Sequence, residues 1–178
     1  GNIKGGVNWN IDENHNVFVN MGDYSKQPFI DAVFQNFRNN INPNTRNEKV
    51  VGFEIGYGYT SEKLRANVNF YRTEWKDRFK TVGFRDGDTR GTADLQGIKQ
   101  LHTGVELDFE YLISDRFKLV GMASVGDWEY AGNVSGTAFD DVDPVGIVNL
   151  YLDGVKVGNS AQTTARLGFD WDVVGNFK

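Results

Sequence analysis

Glu106, Asp108 and Glu110, in the stretch GVELDFEY, place a carboxylate at every second position. On an extended strand they share one face with neighbours about 7 Å apart, a separation that could serve glycoside hydrolysis. Glycosidase acids, however, normally come from different strands and face a substrate cleft. These three sit on one strand, backed by Val105, Leu107, Phe109 and Tyr111. A solvated surface or the lining of a wet channel fits that pattern better than a reaction does. The other acid groups are weaker candidates. Asp140, Asp141 and Asp143, and the pair Asp86 and Asp88 beside Gly87, look like fragments of calcium loops. They lack the further ligands and the terminal Glu of an EF-hand loop. His15 and His102 lie far apart without paired ligand spacing. Cysteine is absent, so disulfides and thiolate metal sites are excluded. The expectation is no catalytic set, no metal and no cofactor.

The elements that would position these residues are strands. The chain has 178 residues, enough for one domain or a piece of a larger one, with 13% aromatics, 21 Gly and only 3 Pro. That composition favours β structure over disorder. Acids outnumber Lys and Arg by 24 to 19, a net charge of −5, and the signs alternate along the chain, so no basic stripe marks a nucleic-acid partner. No apolar run reaches the length of a transmembrane helix, which leaves a membrane β-barrel open because its apolar residues are spread over alternate positions. The opening GNIKGG has no apolar signal-peptide core. The chain is therefore expected to be either unexported or internal to a longer precursor.

Alternation of apolar and polar residues recurs throughout. Phe53, Ile55, Tyr57 and Tyr59 alternate with Glu54, Gly56 and Gly58; Leu64, Ala66, Val68 and Phe70 alternate with Arg65, Asn67, Asn69 and Tyr71. Ala165, Leu167, Phe169, Trp171 and Val173 alternate with Arg166, Gly168, Asp170 and Asp172. Weaker versions run through residues 7–11, 17–21 and 117–125. About seven long strands result, each near the ~9–11 residues that cross a bilayer as a tilted strand. Short polar turns fall at Asp12–His15, Ser61–Lys63 and Ser114–Arg116, with another expected at Gly175-Asn176. Long polar stretches separate them: Tyr24–Lys49, Lys76–Gln100 and Ala131–Ala161. The third is expected to hold a hairpin, LYLDGVKV, with Asp153-Gly154 suited to a type I′ turn. Short turns on one rim and long loops on the other are the habit of outer-membrane barrels. Tyr57, Tyr59, Phe109, Tyr111, Phe117 and Trp171 crowd the short turns, as an interfacial aromatic girdle would.

The stretch NPNTRNEKVVGFEIGYGYTSEKLRANVNFYRTEWKDRF resembles the barrel of TonB-dependent outer-membrane receptors. The shared pattern falls on Asn42-Pro43, Glu48-Lys49, Glu54-Ile55-Gly56-Tyr57 and Tyr71 through Asp77. VFVNMGDYSKQPFIDAVF, LHTGVELDFEY and VGNSAQTTARLGFDWDV are similar to other strands of the same barrels, so the resemblance covers essentially residues 1–178. It implies an all-β fold: an antiparallel up-and-down meander forming part of a large transmembrane barrel, an open curved sheet plus a loop hairpin. Such receptors close about 22 strands around an N-terminal plug. Plug, TonB box and final strands are not recognisable here, so the chain is expected to be an internal segment of a barrel. The implied setting is the outer membrane of a Gram-negative bacterium, with the lipid bilayer, the TonB complex (through the plug) and a nutrient ligand as partners. That ligand could be siderophore-bound iron, haem, a glycan or a peptide.

On this basis Glu54, Arg65, Glu106, Asp108, Glu110, Arg166 and Asp170 are expected to line the lumen, with Lys118 and Arg65 as partners for the acids. Trp75, Trp128 and Tyr130, at the loop ends of their strands, are expected in an outer aromatic girdle, or against ligand. Phe29, Phe34 and Phe37 form an apolar loop cluster that packs on a neighbouring loop or captures an apolar ligand. Two alternatives remain: a complete eight-stranded outer-membrane barrel of adhesin or porin type, and a soluble β-sandwich or lipocalin-like binding module with Phe53, Tyr57, Phe109 and Phe169 in its core.

Overall fold

The computed structural model describes residues 1–34, 38–140 and 143–173, apart from the side chains of Asp86 and Thr89. The strands are β1 (Ile3–Asn10), β2 (His15–Lys26), β3 (Glu48–Thr60), β4 (Leu64–Asp86), β5 (Thr89–Ser114), β6 (Phe117–Tyr130), β7 (Val134–Phe139), β8 (Pro144–Leu150) and β9 (Thr163–Trp171), and one short helix, α1 (Ile30–Val33), lies between β2 and β3. The wall runs β1-β2-β3-β4-β5-β6-β9 in one sheet, every pairing antiparallel, and β7 and β8 lie off this path. This is the expected meander of seven long strands plus a loop hairpin. Among the described residues β1 and β9 do not pair, so the sheet is open and not the closed eight-stranded barrel.

Register sorts the side chains, because directly opposed residues share a face. One face carries a continuous apolar band: Val7, Val19, Ile55, Phe70, Val105 and Val125 lie along successive strands. Toward the short turns Tyr59, Tyr111, Phe117 and Trp171 complete it. Among the described residues no second layer covers this band, and Val7, Leu167 and Phe169 are 73%, 72% and 63% exposed. A soluble sandwich would bury these side chains, each worth about 1.5–3 kcal/mol on leaving water. Phe53, Tyr57 and Phe169 are exposed rather than enclosed, which disposes of the soluble alternative.

The connectors are sorted as the sequence suggested. At the short rim Asp12 accepts the backbone N–H groups of Asn14 and His15 at 2.8 Å, and Ser61 N–H reaches Leu64 O at 2.8 Å. The opposite rim holds two corrections. Lys76–Gln100 is not a loop: β4 and β5, 23 and 26 residues long, run past the wall as one hairpin that turns at Gly87-Asp88. Both strands are more than twice the span of a bilayer. A register shift between Trp75 and Phe79, with Asp77 at φ 56°, separates the wall from this extension. Alternation is broken there by the irregularity and by polar residues on both faces, so periodicity did not reveal it. The hairpin expected at LYLDGVKV is also displaced. A turn does form, closed by Val155 N–H to Leu152 O, but only Gly154 takes a positive φ (74°) whereas type I′ requires two. The paired hairpin is instead β7–β8, with the Asp143 N–H donating to the Asp140 carboxylate between its strands.

β7 docks on β5 through Thr92–Leu95, and this projecting unit owns the buried core of Leu95, Ile98 and Val134, packed by Val82, Tyr130, Leu150 and Leu152. The β2–β3 connection ties in through buried Asn42, whose amide donates to Ala32 O (3.1 Å) and Gln96 Oε1 (3.2 Å).

Candidate functional site

The face opposite the apolar band gathers the polar residues. Glu54 opposes Tyr71, Arg65 opposes Glu110, Asn67 opposes Asp108, Asn69 opposes Glu106, Met122 opposes Arg166 and Lys118 opposes Asp170. All seven residues expected to share a lining therefore lie on one side of the wall. Their partners are across the sheet. Lys118 Nζ lies 3.2 Å from Asp170 and 3.6 Å from Glu110, and Asn67 donates to Asp108 at 2.8 Å. Arg65 sits opposite Glu110, but the ion pair there is made by Lys118. Glu54 accepts from both Asn20 and Asn69. Glu106 has no hydrogen-bond or ion-pair partner among the described residues.

The aromatic candidates separate. Trp75, Trp128 and Tyr130 oppose Gln100, His102 and Gln100 respectively, which places all three on the polar face. They are not an outer girdle on the apolar face; one residue of register decides the side. Trp75 meets the Arg78 guanidinium 5.1 Å from its ring, and Tyr130 packs on the core of the projecting unit. Trp128 stacks on His102 (5.2 Å between centroids) and donates its indole N–H to Tyr71 Oη at 2.9 Å. Phe29 is 62% exposed under the Lys26 ammonium, 4.1 Å from its ring. Phe34 pairs with Ile41 in an isolated antiparallel bridge, and Phe37 lies outside the described residues. So do Asp141 and the turn expected at Gly175-Asn176. Among the described residues no three His, Asp or Glu side chains converge as a metal site would require. Asp140 instead accepts the Asp143 N–H at 2.7 Å and closes the β7–β8 turn.

Two features escaped the sequence. Trp9, 66% exposed on the apolar face near the Asp12 turn, belongs with the rim aromatics, and its spacing from that turn was the available signal. His15 joins the same rim, its Nδ1 sharing a hydrogen bond with Tyr57 Oη and its ring 4.9 Å from that of Tyr59. The second is a concavity of about 810 Å³ on the polar face, bordered by Tyr24, Tyr71, Trp128, Glu54, Asn69 and Glu106. Tyr24 and Tyr71 were not candidates, because nothing local distinguishes them from girdle tyrosines.

A single-layer antiparallel wall, with an uncovered apolar band on one face, aromatics along one rim and charged groups on the other face, defines the side of a transmembrane β-barrel. The chain matches the family described as TonB dependent receptor-like, beta-barrel, over residues 2–178, and it belongs to that family. Comparison with curated proteins and with solved structures returned no match. Membership carries an outer-membrane receptor or transporter role, in a family of transporters rather than enzymes, and implies the Gram-negative outer membrane.

Proposed function

We propose that the chain forms part of the barrel wall and outer loops of a receptor that takes up a scarce nutrient across the outer membrane, energised through TonB. In this assignment the apolar band meets lipid, and Glu54, Arg65, Glu106, Asp108, Glu110, Arg166 and Asp170 line the lumen. The β4–β5 extension and the β7–β8 hairpin stand on the outer side. The carrying observation is the register, which separates the lipid-compatible band from the charged residues without exception at those seven positions. Seven wall strands are about a third of a barrel of some 22 strands, so a plug and further strands are expected beside them. The wall performs no bond chemistry. Ligand is captured at the outer side, the TonB complex acts on the plug, and the ligand passes along the polar face. The test is nutrient uptake by cells with and without the receptor gene, in the presence and absence of a proton uncoupler. Uptake that needs both the receptor and the proton gradient is expected. Equal uptake with the gradient collapsed would sink the energised mechanism.

A further inference from the structure

The 810 Å³ concavity has a specific construction. Glycines supply the seats for its aromatic rings. A Cβ built on Gly104 would meet Tyr71 Oη, Cζ and Cε1 at 2.4, 2.6 and 2.8 Å, so the ring lies over the bare backbone there. Gly22 stands in the same relation to Tyr24, whose ring atoms lie 2.4–2.7 Å from the corresponding point. The phenol ends of Tyr24 and of Tyr71 thus lie over bare backbone at the border of the concavity. The Trp128 indole N–H, donating to Tyr71 Oη, fixes the second ring in that pose and leaves the phenol proton free to donate.

Acceptors stand between these two residues. Glu54 is held by the amides of Asn20 and Asn69, and the Glu106 carboxylate has no partner among the described residues. Among the described residues Lys4 is the one cation bordering the concavity, against the carboxylates of Glu54 and Glu106. Flat aromatic faces favour the C–H faces of a ring, and carboxylates bind hydroxyl donors by charge-assisted hydrogen bonds. A net negative lining disfavours polyanions. The volume falls in the usual range for small-molecule sites, about 300–1,000 Å³.

We propose that this concavity is a subsite for a neutral polyhydroxylated ligand, a sugar unit packed on Tyr24 and Tyr71 with its hydroxyls donating to Glu106. The proposal rests on the lumenal assignment above and names the ligand class for that face. The test uses the intact purified receptor, plug included, with malto-, xylo- and mannohexaose, spermine and a ferric tris-catecholate as probes in isothermal titration. At least one hexaose is expected to bind, and neither charged probe to compete with it. Glu106→Gln, nearly isosteric, is expected to weaken that binding about tenfold or more through loss of a charge-assisted bond. Tyr24→Ala is expected to weaken it about 2- to 12-fold. Hexaose binding unchanged in both variants, binding of spermine alone, or no hexaose binding would each overturn the subsite. Heat-modifiability on gels checks that both variants are folded. Uptake separates this proposal from the transport reading: hexaose binding sensitive to Glu106 without energised uptake keeps the subsite and removes that function. Energised uptake of another nutrient, indifferent to both substitutions, does the reverse.

Discussion

Placing an arginine at Leu107 tests which solvent each face meets. Leu107 lies midway along the apolar run of β5, four residues from Tyr111 at the short-turn rim and four from Thr103. At the level of Thr103 the same face turns polar, with Arg72 and Asp127 on either side. Four residues of strand span about 13 Å, or about 10 Å along the membrane normal at a tilt near 40°. Leu107 is therefore close to the middle of a hydrocarbon band about 25 Å tall. Leu107→Arg is expected to cost about 2–4 kcal/mol, and Tyr111→Arg at the rim about 0–1 kcal/mol. Ser124→Arg, at nearly the same height on the polar face and opposite Glu106, is expected to stay within about 1 kcal/mol of the parent. The first cost corresponds to about 30- to 700-fold in the folding equilibrium. The assay is reversible denaturant unfolding of the intact receptor in lipid vesicles, followed by tryptophan fluorescence. A profile without depth dependence, with Tyr111→Arg costing as much as Leu107→Arg, would refute the bilayer assignment. So would a larger penalty for Ser124→Arg than for Leu107→Arg.

Gly104→Val should evict the Tyr71 ring and break its bond from Trp128, costing about 1–3 kcal/mol, while Tyr71→Phe should lose only about 0.5–1.5 kcal/mol; equal costs in unfolding titrations would contradict the seating of the ring. Leu95→Ala should cost about 2–5 kcal/mol locally. Hydrogen exchange should then rise in residues 92–98 and 134–150 and stay unchanged in the wall, whereas a uniform rise would show that the projecting unit is not separately stabilised. The Lys156 ammonium is held by hydrogen bonds from its own N–H groups to Asp127 and Glu129, which raise its pKa above the ordinary lysine value. A group with a raised folded pKa contributes fully below its unfolded value and loses that contribution as pH climbs through the folded one. As pH is raised from neutrality, a spin label at Gly158 should therefore gain mobility only above the ordinary lysine range, and Lys156→Met should give the same gain at neutral pH. Mobility rising between neutral pH and the ordinary lysine range would contradict this account.

Much of the wall was legible because a strand has only two faces. Once Val105, Leu107 and Phe109 alternate with Glu106, Asp108 and Glu110, each residue's side is settled relative to its neighbours. The short turns were legible too, since Asp12 and Ser61 make local hydrogen bonds that do not depend on distant residues. Where the pattern lapsed, legibility ended. Polar residues on both faces hid the extension of β4 and β5, and Asp153-Gly154 announced a turn without revealing which segments pair around it.

Alternation fixed that Glu106, Asp108 and Glu110 stand together and away from an apolar face; composition and spacing already excluded disulfides, thiolate sites and a helical membrane span. Only the tertiary structure decided which cation meets which acid, for Lys118 and not Arg65 reaches Glu110. It alone put Trp128 on the charged side, and it alone laid Tyr71 over Gly104 and brought it with Tyr24 to one concavity. The physical reason is that sidedness is a local property of the extended backbone, whereas cross-strand partners depend on register between segments far apart in the chain, where a slip of one residue exchanges every contact.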